Sequence, residues 1–139
     1  MLPRGIRNNN PLNIRVGNKW VGEVKKPTDP SFEQFTCIPY GLRAAFIILR
    51  RYIEVYKLNT ISKIVYRWAP DSENNTLAYI RRVSLSMNYD ADAPISFNDK
   101  PRMIALVKAM CSVECGYVES DCQVDKVDIE AGYILATYL

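Results

Sequence analysis

From residue 39 onward, apolar side chains recur at helical spacing in five segments, most of them bounded by a capping residue, a proline or a glycine. These are the usual signals for the ends of helices. In the third segment the spacing predicts an inward face of Leu77, Ile80, Val83 and Met87. The pattern predicts helices over 41–57, over 61–68 after a cap at Thr60, from an asparagine cap in 71–75 to about 87, from a cap at Asn98 or Asp99 to 114, and over 127–138.

The first 38 residues have a different character, because they are rich in asparagine and proline. Asparagine favours turns, and proline forces the residue before it into an extended conformation. Short strands are predicted at 13–15 and 32–35. A chain of 139 residues has the length of one domain. We therefore predict a mainly α (α+β) domain over 1–139, with a small β-containing lobe over 1–38 and a helical lobe over 39–139.

The residue types limit the chemistry. The sequence contains no histidine and no C-x-x-C pair, so a zinc site is not expected. The lack of histidine also excludes Ser-His and Cys-His nucleophiles. Carboxylates, tyrosine, lysine and cysteine remain as candidate catalytic groups, and no metal or cofactor is expected.

Charge and hydropathy limit the partners. The net charge of +3 is mildly basic, and the arginines are spread over several predicted helices, so a nucleic-acid partner is not expected. The longest apolar run, 44–49, is too short to span a bilayer. The N-terminus lacks the apolar core of a signal peptide, so we expect synthesis in the cytoplasm without export by that route.

Glu114 is the candidate general acid. It ends the fourth predicted helix beside its apolar stripe, two residues before Gly116. Desolvation and the negative end of the helix dipole would both raise its pKa and keep it protonated. Protonation of a glycosidic oxygen requires such a group. In the alternative reading, Glu114 turns outward or pairs with an arginine, and spacing alone leaves both readings open.

The N-terminal lobe offers candidate sugar-binding groups. Asn9, Asn10 and Asn13 suit hydrogen bonds to sugar hydroxyl and N-acetyl groups, and Trp20 offers a stacking surface. In the alternative reading, the asparagines bond their own backbone in turns. Three carboxylates of this lobe could each be a second acid or a solvated charge, namely Glu23, Asp29 and Glu33. Glu23 is the first candidate for the second acid.

The loop between the second and third predicted helices is compact and polar, and it contains Glu73 and Asn74. Its residues either stop one helix and cap the next, or they form part of a cleft wall. We predict both residues as substrate-binding candidates.

Three motifs resemble a known family. They read R-G-I-R-N-N-N-P-L-N-I-R from residue 4, G-L-R-A-A from residue 41 and R-W-A-P-D-S-E-N-N-T from residue 67. Together they resemble small phage and prophage virion or lysis proteins that are lysozyme-like and related to muramidases and lytic transglycosylases. Members typically carry H-E-N-G, and residues 113–116 here match its Glu and Gly but not its His and Asn.

A second resemblance concerns the order of the motifs. Residues 9–15, 20–22 and 32–35 are similar to the part of flagellar-type glucosaminidases that follows a catalytic helix ending in Glu-x-Gly. No such helix precedes them here, but the segment ending at Glu114 could supply it from the other end of the chain. This order implies a lysozyme-like domain in circularly permuted form.

The resemblances imply a peptidoglycan-cleaving glycosidase or lytic transglycosylase of phage type with Glu114 as general acid. Its partners would be peptidoglycan glycan strands and other phage structural proteins, and it would act at the cell wall or in a virion. The alternative is a non-catalytic virion or mobile-element protein that keeps a lysozyme-like fold.

Overall fold

The computed structural model describes residues 2–72, 74–116 and 124–138. Within these ranges the chain is mainly helical, which confirms the predicted class at that level. The helices are α1 Arg4–Arg7, α2 Ile38–Glu54, α3 Ile61–Trp68, α4 Thr76–Met87, α5 Lys100–Glu114 and α6 Lys126–Tyr138. The short α1 was not predicted, since it lies in the segment whose asparagines and proline favour turns.

The helix ends follow the capping chemistry of the sequence. The side chains of Thr60, Asn75 and Asp99 each accept a hydrogen bond from the backbone N–H three residues later. These bonds satisfy N–H groups that have no partner within the helix. Pro101 lies in the first turn of α5, where its missing N–H costs nothing. Gly116 follows α5 with a φ of +70°, a conformation that glycine adopts without strain.

Helices α2 and α6 pack against each other in the centre of the core. Phe46 and Leu49 of α2 are fully buried, and the ring of Phe46 meets Tyr133 of α6 edge-on at 5.4 Å. Gly132 permits the close approach, because a Cβ there would lie 2.6 Å from the Cβ of Leu42. This pair joins the first long helix of the chain to the last.

The N-terminal segment, residues 2–37, is built differently from the predicted β lobe. Among the described residues its β pairing is limited to two isolated antiparallel bridges, Arg15 with Phe32 and Glu23 with Phe35. The buried side chain of Asn10 supplies much of the remaining connection. Its Nδ2 donates to the carbonyl oxygens of Ile14 and Glu33 at 2.9 and 3.0 Å. Side-chain amides thus supplement the backbone hydrogen bonds at these bridges.

The inward face of helix α4 differs from the predicted one at Leu77, the first residue assigned to it. Leu77 is 63% exposed, whereas Tyr79 is only 5% exposed. Ile80 and Val83 are buried as predicted. No helix in the described part of the chain is both long and apolar enough to cross a membrane.

Candidate functional site

An open polar cleft lies where the N-terminal segment meets the C-terminal ends of α3 and α5. Its volume is about 420 Å³, which is within the size range of small-ligand sites. The residues that line it come from four parts of the sequence, and they are Asn13, Arg15, Phe32, Trp68, Ala69, Asn74 and Glu114.

Glu114 forms one wall of this cleft, and both of its carboxyl oxygens contact a hydrogen-bond donor. Oε1 accepts from Nδ2 of Asn13 at 3.1 Å, and Oε2 accepts from the hydroxyl of Tyr79 at 3.0 Å. Asn13 has a φ of 53°, in the left-handed region that asparagine tolerates better than most residues. Its Nδ2 also lies 3.2 Å from the backbone carbonyl oxygen of Glu114. Two donors from distant parts of the chain therefore fix the orientation of this carboxyl group.

The environment of Glu114 favours its protonated form. Burial raises the pKa of Glu114, while the hydrogen bonds from Asn13 and Tyr79 act in the opposite direction, and burial is the larger effect. Burial also raises the pKa of Tyr79 well above its ordinary value, and the neighbouring Glu114 adds to that rise. Tyr79 thus stays a neutral hydroxyl. A proton donor whose conjugate base is held by two hydrogen bonds suits general acid catalysis.

Aromatic side chains complete the cleft. The indole Nε1 of Trp68 donates to the carbonyl oxygen of Leu12 at 3.3 Å, so the ring is held against the N-terminal segment. Phe32 lies between two arginines, with the Cζ of Arg4 4.5 Å and the Cζ of Arg15 4.9 Å from its ring centroid. The cleft therefore combines flat apolar surfaces with amide, guanidinium and carboxyl groups.

The structure brings some of the sequence candidates together and separates others. Asn13 and Asn74 line the cleft with Glu114. Asn9 instead donates through Nδ2 to the carbonyl oxygen of Phe35 at 2.9 Å, and the buried Asn10 holds the N-terminal segment together, as described above. Both amides therefore bond backbone carbonyl oxygens, and those of Phe35 and Glu33 lie far along the chain rather than in a local turn.

The other candidates lie elsewhere. Trp20 lines a separate depression with Ile47, Ile48 and Arg51 of α2, and its backbone N–H donates to Oε1 of Glu23 at 3.0 Å. Neither Trp20 nor Glu23 is among the described residues of the Glu114 cleft. Glu73 lies outside the described residues.

Glu23 has a carboxyl neighbour in Glu33. Glu33 is only 8% exposed, and its pKa is raised to about 7, first by burial and then by the charge of Glu23 and a hydrogen bond with it. Burial and the charge of Glu23 thus favour the protonated form of Glu33. In the part of the chain that the structure describes, no cluster of histidine, cysteine and carboxylate side chains is suited to a metal ion.

Sequence reasoning missed Tyr79, Arg15 and Phe32. Tyr79 could have been found from the helical period of α4 if the aromatic residue had been given more weight than Leu77. Arg15 and Phe32 reach the cleft through their antiparallel bridge, and no local sequence signal indicates that pairing.

The described part of the chain is thus a small, mainly helical protein with a carboxylic acid in the wall of an open polar cleft. None of the established protein-family models matches the chain. Over 117 residues it is 39% identical to Protein P5 of Pseudoalteromonas phage PM2, a match that covers 81% of this chain and 71% of that protein. The chain belongs to the family of this phage protein. The expected relationship to phage proteins is thereby confirmed at this level.

Proposed function

We propose that the chain is a peptidoglycan-cleaving glycosidase or lytic transglycosylase of phage type. Glu114 is the general acid that protonates the glycosidic oxygen between N-acetylmuramic acid and N-acetylglucosamine. One observation carries the proposal, namely that this carboxyl group lies in a cleft wall with a pKa raised by burial. Catalytic acids need such an environment to remain protonated near neutral pH.

The other groups of the cleft suit a glycan. The amides of Asn13 and Asn74 can bond hydroxyl and N-acetyl groups, and the ring of Trp68 offers a flat surface for a sugar ring. Asn13 has a second role, because its Nδ2 already donates to Glu114. It is therefore a positioning residue for the acid, together with Tyr79.

The proposal includes a lysozyme-like arrangement in circularly permuted order. Contacts between the end of α5 and the N-terminal segment support it. Besides the bond from Asn13 to Glu114, the Sγ of Cys115 lies 3.3 Å from the carbonyl oxygen of Pro11. The helix that carries the acid is thus packed against the segment that would follow it in an unpermuted relative.

The carboxyl groups of the cleft favour the transglycosylase form of the reaction. Among the described residues that line it, Glu114 is the one carboxylic acid. Glu23, the first candidate for a second acid, lies beside Trp20 and Glu33 instead. A hydrolase needs a second carboxylate to activate water or to attack the sugar. A lytic transglycosylase needs one acid, because a hydroxyl group of the substrate replaces water.

The proposed place of action is the bacterial cell wall or the virion, with other phage structural proteins as partners. Kinship with a phage protein supports this setting. A glycan-cleaving protein of a phage would need access to the peptidoglycan layer.

The test is loss of turbidity of purified cell walls, with the wild type compared with Glu114→Gln. We expect the substitution to lower the rate by about 10²–10⁴-fold, which is the usual contribution of a general acid. Glu54→Gln is the matched control, because Glu54 is an exposed carboxylate paired with Arg50 on α2. Products with a 1,6-anhydro end would identify a transglycosylase, and products with a reducing end a hydrolase.

Clearing that survives Glu114→Gln would remove Glu114 from the acid role. A folded wild type that clears no wall material would favour the non-catalytic virion protein instead.

A further inference from the structure

We propose that Arg15 is a specificity-determining residue that binds a carboxylate on the substrate, so that the cleft prefers an acidic glycan to a neutral one. The glycan part of this inference rests on the proposed function. The carboxylate part rests on the arrangement of charges around Phe32, which does not depend on catalysis.

The two arginines that flank Phe32 differ in their partners. Arg4 is neutralised by Asp29, to which its Nε and Nη2 both donate at 2.7 Å. Arg15 has no ion pair with any carboxylate among the described residues. Within the described part of the chain, the ring of Phe32 thus contacts one guanidinium that is ion-paired and one that is not. The latter, that of Arg15, lines the cleft.

The backbone holds Arg15 in this position. Residues 15 and 32 form an antiparallel bridge. On one side of it, the N–H of Val16 donates to the carbonyl oxygen of Ser31 at 3.0 Å, and on the other, the N–H of Glu33 donates to that of Ile14 at 2.9 Å. Contact with the Phe32 ring restricts the guanidinium further. An arginine ordered in this way loses less conformational freedom when it binds a ligand.

Among the described residues that line the cleft, one carboxyl group lies near Arg15. This carboxyl group is that of Glu114, and burial raises its pKa, which reduces its negative charge. The remaining lining residues are amides, aromatic rings and Ala69. A planar guanidinium with free N–H groups matches a carboxylate in shape and charge.

A peptidoglycan strand can supply that carboxylate from two sources. One is the lactyl group of N-acetylmuramic acid, which is free where the peptide has been removed. The other is the peptide stem, whose residues carry their own carboxylates. The proposal concerns the shared chemistry, and the ligands chosen for the test separate the two sources.

The experiment measures binding to Glu114→Gln protein, which prevents turnover, by titration calorimetry. Three glycans of equal length serve as ligands: a neutral oligomer of N-acetylglucosamine, a peptide-free strand of N-acetylglucosamine and N-acetylmuramic acid, and the same strand with peptide stems. We expect at least one acidic strand to bind more tightly than the neutral oligomer. Adding Arg15→Gln should raise the Kd of that strand about tenfold, because a charge-assisted hydrogen bond is lost. The Kd of the neutral oligomer should change by less than about twofold.

Arg67→Gln in the same background is the matched control. Arg67 is also exposed and lies over the rings of Tyr52 and Tyr56, but it does not line the cleft. Arg67→Gln removes the same charge as Arg15→Gln and should leave the Kd of every ligand unchanged. An effect on the peptide-free strand would assign the carboxylate to the lactyl group, and an effect confined to the peptide-bearing strand would assign it to the stem.

The proposal is overturned if Arg15→Gln weakens the neutral and acidic ligands equally, if Arg67→Gln has the same effect, or if none of the three ligands binds. Failure of the proposed function looks different. A wild type that clears no cell walls, but whose binding of acidic strands depends on Arg15, would refute catalysis and retain this inference.

Discussion

Glu33→Gln offers a sharp test of how the N-terminal segment responds to pH. Glu33 is 8% exposed, and its pKa is raised to about 7 by burial and by the charge of Glu23. Glutamine has nearly the shape of the protonated side chain and carries no charge. The substitution therefore fixes this position in the state that the folded protein prefers.

The sign of the effect follows from proton binding. In the folded protein the pKa of Glu33 is raised to about 7, whereas the ordinary pKa of a glutamate is 4.5. Between these values the folded state binds more protons than the unfolded state, so its stability falls as the pH rises. A pKa difference of one unit corresponds to about 1.4 kcal/mol, so the loss of folding stability through Glu33 is at most about 3 kcal/mol. We expect a loss of about 2 kcal/mol, because local relaxation and water reduce the cost of a buried charge.

The assay is urea unfolding at about pH 4 and about pH 8, below and above the titration of Glu33. We expect the wild type and Glu33→Gln to have similar free energies of unfolding at the lower pH. At the higher pH the variant should be more stable by about 2 kcal/mol. Glu54→Gln is the control, since it removes an exposed carboxylate and should change stability by less than about 1 kcal/mol at either pH.

The result that would refute this reasoning is a constant difference between wild type and Glu33→Gln across the pH range. Glu33 would then titrate alike in the folded and unfolded states. A variant that is less stable than the wild type at the higher pH would show that the folded protein prefers the ionised carboxylate, and this would reverse the sign of the expected effect.

Two further substitutions test the site and the core. Tyr79→Phe removes the hydroxyl that donates to Oε2 of Glu114 and should cost about 1 kcal/mol in a denaturant titration. It should also raise the pKa of Glu114, because the lost bond lowers it, so the alkaline limit of wall clearing should move to higher pH; an unchanged limit would contradict the acid role. Gly132→Ala places a Cβ 2.6 Å from that of Leu42 and should cost about 1–3 kcal/mol in thermal unfolding, and a neutral effect would mean that α2 and α6 separate easily.

The helices could be predicted because their signals are local. Thr60 and Asp99 each cap a helix through a backbone N–H three residues later, so the sequence neighbourhood contains the whole interaction. The N-terminal segment could not be predicted in this way. Its organisation depends on Asn10, which bonds the backbone at Glu33, 23 residues away. Such a bond leaves no periodic pattern in the sequence.

The candidate site also contains residues that the sequence predicts and residues that it does not. The position of Glu114 at the end of an apolar helix is a local feature, and the order of the motifs suggested the N-terminal segment as its neighbour. Tyr79 was missed because the aliphatic Leu77 was taken to define the inner face of α4, although Leu77 is 63% exposed. Two residues at this spacing point in nearly opposite directions on a helix. Assigning Leu77 to the inner face of α4 therefore placed Tyr79, the second hydrogen-bond donor to Glu114, on the outer face.

The bond from Asn13 to Glu114 joins residues that are 101 positions apart in the chain. Contacts of such long range form slowly and late in folding, because the intervening chain must first be ordered. On the ribosome, the N-terminal segment emerges well before α5 has been made. The nascent chain therefore carries an incomplete cleft until α5 has been made. A chain that stops before α5 contains the cleft residues Asn13, Phe32, Trp68 and Asn74. It lacks both Glu114 and the helix that positions this acid.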